Sequence, residues 1–225
     1  MRLLAIGDIH GCHRALTTLL AQVKPTESDQ VVLLGDYIDR GPASRAVIET
    51  LLDLKRTCAP VFLRGNHEIM VLEARQDTSK ANLWLSYGGQ EMLQSYGLDY
   101  DGDISNWFDS IPMAHWEFFD KTVKYHETDR HIFVHACLAG DVEMKDQPEW
   151  LLHWEYFDRL QPHQSGKRVI CGHSSQRSGQ INDVGYGACI DTGACYGGWL
   201  TCLDVNSGRY WQANENTETR EGALR

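Results

Sequence analysis

Val31-Val32-Leu33-Leu34-Gly35-Asp36-Tyr37-Ile38-Asp39-Arg40-Gly41 is the stretch on which the fold turns. Four consecutive apolar residues, two of them β-branched, read as a buried strand. The run stops abruptly at Gly35, polar residues follow, and Ala46, Val47, Ile48, Leu51 and Leu52 then recur at helical spacing. The same succession precedes it: Leu3–Ile6, then Gly7-Asp8-Ile9-His10-Gly11, then a helix through Ala15, Leu16, Leu19, Leu20 and Val23. It also follows it: Val61–Leu63, then Arg64-Gly65-Asn66-His67-Glu68, then a helix from about Ile69. Short apolar runs alternating with helices indicate βαβ units and a mainly parallel sheet.

Two later runs end in the same way. Ile132-Phe133-Val134 gives onto His135-Ala136, and Val169-Ile170-Cys171 onto Gly172-His173. Residues 76–130 hold no strong strand pattern; Trp84, Leu85, Tyr87, Met92, Leu93 and Tyr96 read as helical packing broken at Gly88-Gly89. Ala188–Asp191, Trp199–Val205 and Tyr210–Ala213 read as an antiparallel meander closing a second sheet. Residues 214–225 read as a polar, mobile tail. The expected organisation is one α/β domain over 1–213 followed by that tail.

The 225 residues suffice for one sizeable core, and 42% hydrophobic with 23% charged residues is ordinary for a soluble globular chain. No run of about 18 apolar residues occurs, which argues against a membrane span. Met1 leads almost directly into the first apolar run, which reads as a strand and not as a signal segment. Seven cysteines, an odd number with no CxxC pair, argue against a disulfide framework and for reduced thiols in the cytoplasm. A net charge of −10 argues against a nucleic-acid partner held by phosphate neutralisation. Oligomeric state leaves no signal.

Functional residues of open α/β sheets gather beyond the carboxyl ends of strands. Here five apolar runs end in metal-ligand types: Asp8 with His10, Asp36, Asn66, His135 and His173. Carboxylate, amide and imidazole donors suit manganese, iron, zinc or magnesium. Two such ions about 3.5–4 Å apart lower the pKa of a bridging water and clamp a phosphoryl group for in-line attack. A bridging carboxylate must hold like charges that close, and Asp36, on the middle unit, is the candidate. His67 follows Asn66 and is placed to protonate a leaving oxygen, with Asp39 as the carboxylate that orients it and keeps it charged. Arg40 and Arg64 offer bidentate donors for phosphate oxygens.

Gly7-Asp8-Ile9-His10-Gly11, Gly35-Asp36-Tyr37-Ile38-Asp39-Arg40-Gly41 and Gly65-Asn66-His67-Glu68 resemble the three signature motifs of the phosphoprotein phosphatase family of metallophosphoesterases. His135-Ala136 and Gly172-His173 resemble its two later ligand motifs, so the likeness runs in order from residue 7 to about 173. The resemblance implies a calcineurin-like fold, a central β-sandwich of mixed sheets flanked by helices, with a dinuclear site at one edge. It implies one metal on Asp8, His10 and Asp36, and the other on Asp36, Asn66, His135 and His173. It further implies manganese foremost among the candidate ions, His67 as general acid backed by Asp39, and Arg40, Arg64 and Asn66 at the phosphate. The length is similar to the small bacterial and phage branch, whose substrates are phosphoserine and phosphothreonine, sometimes phosphotyrosine, in proteins.

The chain departs from the pattern at three places. Cys137 stands where the family often has glycine; it reads as a small packing residue, with a redox-sensitive thiol as the lesser option. The further phosphate arginine that follows a Trp-containing segment has no clear counterpart: after Trp154 the first arginine is Arg159, which is nominated weakly. Asp191-Thr192-Gly193 resembles a late family motif with a structural or supporting role. Two rival functions remain. A symmetrical diadenosine tetraphosphate hydrolase shares the metal ligands, but resemblance to that group implies alanine where this chain has Asp39 and aspartate where it has Glu68. A catalytically silent metal-binding scaffold would be expected to have lost some of the residues that are present here.

Overall fold

Leu4 and Ile6 of the first strand pack into one hydrophobic cluster, while Leu3 and Ala5 pack into another. This is the period-two alternation of a strand buried on both faces, and it sets the layers of the molecule. A computed structural model describes residues 1–100 and 104–224 of the chain; residues 101–103 of the middle segment and Arg225 at the end of the expected tail lie outside the described residues.

Eleven strands are present among the described residues: β1 (Leu3–Ile6), β2 (Gln30–Leu33), β3 (Val61–Phe62), β4 (Tyr125–Glu127), β5 (His131–Val134), β6 (Arg168–Cys171), β7 (Asn182–Asp183), β8 (Gly187–Cys189), β9 (Leu200–Asp204), β10 (Arg209–Ala213) and β11 (Thr219–Ala223). They form two mixed sheets, ordered β11-β10-β9-β1-β2-β3 and β4-β5-β6-β8-β7. The three βα units take the expected form, with α1 (His13–Val23), α2 (Ser44–Leu54) and α3 (Asn66–Gln76) after β1, β2 and β3, and β1, β2 and β3 pair in parallel. Helix α3 starts at Asn66, three residues earlier than the apolar pattern suggests, because its first turn is polar and serves the site.

Three layers of apolar contact follow. Leu3, Ala5, Val32, Leu34, Phe133, Ile170 and Ala188 fill the space between the sheets. Leu16, Leu19, Val47, Ile48, Leu51 and Val71 seat the three helices on the outer face of the six-stranded sheet. Val134, Leu152, Phe157 and Leu160 cover the outer face of the other sheet. The result is the helix-flanked β-sandwich expected from the sequence.

Each sheet is mixed, as the resemblance implies, and the parallel pairing read from the βα units is kept among β1, β2 and β3. Three expectations need correction. The meander formed by β9 and β10 extends the first sheet beside β1 and does not close the second; β8 joins the second sheet in parallel to β6, with β7 antiparallel at its edge. Strand β4 lies inside the segment read as strandless, pairing antiparallel with β5. Part of the segment read as a mobile tail is ordered: Thr219–Ala223 form β11, which pairs with β10 from Ala213↔Thr219 to Arg209↔Ala223. An edge strand needs only one buried face, so its sequence can be polar and carry little apolar periodicity. All seven cysteines are free thiols, and among the described residues no helix is long and apolar enough to cross a membrane.

Candidate metal centre

The turns after β1, β2, β3, β5 and β6 meet at one edge of the sandwich. Among the described residues, seven non-glycine residues have positive φ, and five of them are His10, Asp36, Asp39, Arg40 and His173. Left-handed backbone costs a residue with a Cβ about 1 kcal/mol or more, and such strain collects where side-chain aim matters more than local comfort. The glycines beside these residues are needed for close approach: a Cβ on Gly65 would collide with Asp36 Oδ1, and one on Gly172 with Asp8 Oδ1.

The imidazoles are aimed by carbonyls. His10 Nδ1 donates to Ile38 O at 2.9 Å and His135 Nδ1 donates to Leu34 O at 2.8 Å. A carbonyl can only accept, so each ring carries its proton on Nδ1 and presents the lone pair of Nε2 inward. His10 Nε2 lies 3.3 Å from Asp36 Oδ2. His135 Nε2 lies 3.5 Å from Asp36 Oδ1 and 3.0 Å from Asn66 Oδ1. His173 faces the same amide oxygen through Nδ1, at 3.1 Å. Two groups of donor atoms thus share Asp36: one with His10 and His67, the other with His135 and His173. The shared carboxylate is where a bridge between two ions belongs. Asp8 stands at the back of the cluster, where its oxygens accept the His173 backbone N–H at 3.0 and 3.2 Å.

Electrostatics favours cations here. Burial, then the charges of Asp191 and Asp36, push the Asp8 carboxyl well above its ordinary range. Burial would push Asp36 up too, but the imidazoles of His135, His67 and His10 outweigh it and hold Asp36 well below. Burial pushes His135 and His173 down to about 4, so their lone pairs are free at neutral pH. Buried carboxylates and neutral imidazoles converging on one point are costly unless a cation joins them. The donor set fits two divalent ions of the manganese, iron, zinc or magnesium kind.

His67 and Asp39, both fully buried, touch through Nδ1 and Oδ2 at 2.6 Å. His67 Nε2 has no hydrogen-bond partner among the described residues, and the ring stands edge-on to His10 with centroids 4.6 Å apart. Trp84 Nε1 donates to both Asp39 oxygens, at 3.2 and 3.1 Å. The sequence reading placed Trp84 in the core. The missed signal is that a buried indole N–H needs an acceptor. Glu68 has a further role that residue spacing alone left unread. Its carboxylate accepts from the backbone N–H of Asp36, Tyr37 and Gly65, each at 2.9 Å, and so staples the second motif to the start of α3.

The arginines divide. Arg40 accepts its place from Gly88, whose carbonyl takes the Arg40 backbone N–H at 3.1 Å, and its Nη1 lies 2.7 Å from His10 Nε2. Arg64 is turned away: its guanidinium donates to Thr122 Oγ1 and to the carbonyls of Phe119, Asp120 and Thr122. Arg159 is exposed and does not line the cavity over the centre. That cavity, of about 360 Å³, is lined by Asp36, Arg40, Asn66, Tyr87, Trp154, Tyr156, His173, Ser175, Arg177 and Tyr196. Segments 76–130 and 140–165, which carry Tyr87, Trp154 and Tyr156, read as substrate-determining loops, whereas nothing local marks Arg177 and Tyr196, which become a wall only through folding. Cys137 packs in the cluster under the second sheet, and burial pushes its thiol up to about 11, which suits a packing residue.

Comparison with known proteins finds phosphoesterases. Residues 1–189 match the family model described as calcineurin-like phosphoesterase. The chain is 41% identical over 85 residues to serine/threonine-protein phosphatase 1 of Salmonella typhimurium, a match covering 37% of each chain. It is 29% identical over 185 residues, 73% of this chain and 60% of the relative, to a symmetrical bis(5'-nucleosyl)-tetraphosphatase of Bordetella pertussis. These matches therefore span between 37% and 60% of the curated relatives' own lengths. A solved structure described as a candidate diadenosine tetraphosphatase superposes with a TM-score of 0.67 at 19% identity, covering 100% of this chain and 94% of that one, which shows a shared fold.

Proposed function

The chain belongs to the calcineurin-like phosphoesterase family, and from that premise we propose that it is a two-metal phosphomonoesterase acting on phosphoserine and phosphothreonine in proteins, with phosphotyrosine as a secondary substrate. The observation that carries the reading is the buried 2.6 Å contact of His67 with Asp39, beside a His67 Nε2 that has no hydrogen-bond partner among the described residues. A serine or threonine oxygen is a poor leaving group and needs a proton as its bond to phosphorus breaks. Asp39 accepts the Nδ1 proton and so fixes the ring, while burial pushes the imidazole down to about 4 against the opposing charge of Asp36. Nε2 is then the atom that delivers the proton. A nucleotide leaving from a dinucleoside tetraphosphate is a far better leaving group and gains less from such an acid.

In this reading Asp8, His10 and Asp36 hold one ion, and Asp36, Asn66, His135 and His173 the other. When bound, two divalent ions, manganese foremost, supply an activated water and draw charge from the phosphoryl oxygens. Arg40, at the cavity wall, binds non-bridging oxygens of the phosphate. The seven free thiols fit the reducing cytoplasm in which we place the enzyme.

Turnover of a phosphoserine peptide and of diadenosine tetraphosphate, compared under saturating manganese, tests the assignment. Faster peptide turnover is expected, with activity abolished by chelation and restored by manganese. Full activity in metal-free protein would refute the two-metal centre. The second reading, symmetrical dinucleotide cleavage, is supported by the relative matched over 73% of the chain; faster turnover of diadenosine tetraphosphate would transfer the assignment to it.

A further inference from the structure

We propose that Arg177, in the loop after β6, is the second arginine that holds the substrate phosphate, working with Arg40 beside the shared ring of Tyr196. The inference rests on the phosphoesterase reading above. It fills the role for which the sequence offered Arg64 and Arg159.

Arg40 and Arg177 are the two cationic residues lining the cavity over the metal centre. Both guanidinium groups lie against one ring: Cζ of Arg177 is 4.3 Å and Cζ of Arg40 is 5.7 Å from the centroid of Tyr196. The π-system of Tyr196 is thus a shared stabilising partner for two like charges gathered at one ring. Two guanidiniums flanking a cavity above buried carboxylates and imidazoles make a receptor for a dianion with several acceptor oxygens, which a phosphate ester is. Among the described residues Arg177 forms no ion pair and no side-chain hydrogen bond, so its five donors remain for a ligand. Arg64, by contrast, has its donors committed to the 119–122 segment.

The loop that carries Arg177 is braced. Gln176 N donates to Asp191 O at 2.8 Å, and Gly179 N closes a turn onto Gln176 O at 2.8 Å. Gly179 O accepts from Gln212 Nε2 of β10 at 3.1 Å and from Arg220 Nη2 of β11. Arg220 lies 4.3 Å over the ring of Trp199, which steadies it in turn. The edge strand at the C-terminus thus fixes the loop on which Arg177 stands. A charged side chain on a fixed loop loses less freedom on binding than one on a free loop, and this is what a phosphate clamp requires.

The experiment uses the full chain reconstituted with manganese, and measures kinetics on p-nitrophenyl phosphate and on a phosphoserine peptide, with inorganic phosphate as competitive inhibitor. Arg177→Ala is expected to raise KM for both substrates and the inhibition constant of inorganic phosphate by about tenfold or more, with kcat reduced much less. Arg177→Lys restores part of the loss, and Tyr196→Ala shifts the same constants in the same direction by less. An unchanged inhibition constant in Arg177→Ala overturns the inference, as does a loss confined to the peptide, which would place Arg177 on the rest of the substrate. A raised constant in Arg159→Ala in place of Arg177→Ala also overturns it. If the wild-type chain hydrolyses neither ester, the functional reading fails. Calorimetry of inorganic phosphate binding to the manganese-loaded wild type and Arg177→Ala still decides the inference: weaker binding by the variant supports it, and equal binding rejects it.

Discussion

The floor of the site and its rim are built on different principles. The floor consists of Asp8, His10, Asp36, Asp39, Asn66, His67 and His135, all buried, in the turns after strands or at a helix start, and held by backbone groups or by one another. The rim consists of Tyr87, Trp154, Tyr156, Arg177 and Tyr196, drawn from loops and helix ends and largely exposed. The floor has one permissible geometry, since metal ligands and a proton donor tolerate displacements of only a few tenths of an ångström. The rim has many, because substrate contacts can be exchanged without disturbing the chemistry below them. The difference assigns reaction type to the floor and substrate choice to the rim.

The sharpest way to break this division is His67→Asn. On a phosphoserine peptide kcat should fall about 10²- to 10⁴-fold, while p-nitrophenyl phosphate, with its better leaving group, loses much less. Metal analysis should still find two ions per chain. Loss of an ion together with equal loss on both esters would make His67 a ligand, in keeping with its place beside His10 and Asp36.

Next in size is Trp84→Phe, which keeps the packing and removes the indole N–H from Asp39. It should lower kcat on the peptide about tenfold with KM little altered, because one hydrogen bond to a buried carboxylate is worth about 1.5–3 kcal/mol. A change in KM alone would move Trp84 from the floor to the rim.

Arg64→Met separates two arginines that look equivalent in the sequence. Removing the donors to Thr122, Phe119 and Asp120 should destabilise the fold by about 1–3 kcal/mol in denaturant unfolding, without raising the inhibition constant of inorganic phosphate. A raised constant at unchanged stability would return Arg64 to the phosphate. The smallest effect is expected at the rim: Tyr156→Ala should raise KM for the peptide by about three- to tenfold and leave hydrolysis of p-nitrophenyl phosphate nearly as it is. Equal losses on both would place Tyr156 in the floor, where its ring already lies 5.8 Å from that of His173.

The convergence of the candidate ligands and of His67 with Asp39 was legible because each sits in a short stretch whose apolar run stops at a glycine and a polar turn. Gly35-Asp36, Gly65-Asn66 and Gly172-His173 carry their own punctuation. The rim carries none. Tyr196 and Arg177 are ordinary loop residues until the Gln176–Asp191 and Gly179–Arg220 contacts bring their loops together. The C-terminal strand was hidden for a related reason: Thr219-Arg220-Glu221-Gly222-Ala223 is polar, and its pairing is supplied by the partner strand β10. The meander was legible as strands but not as to which sheet it joins, because period-two burial reads the same beside either one.

Local patterning by itself determined the layered α/β fold, the five strand ends and the chemistry gathered at them, since burial and backbone turns are encoded within a few residues. Tertiary structure alone decided that Arg64 is tied to the 119–122 segment while Arg177 lines the cavity, that Trp84 contacts Asp39 of the His67–Asp39 pair and Glu68 the turn at Asp36, and that the last strand braces the rim. Those outcomes depend on which distant groups compete for a donor or an acceptor, and only the folded chain brings the competitors within reach.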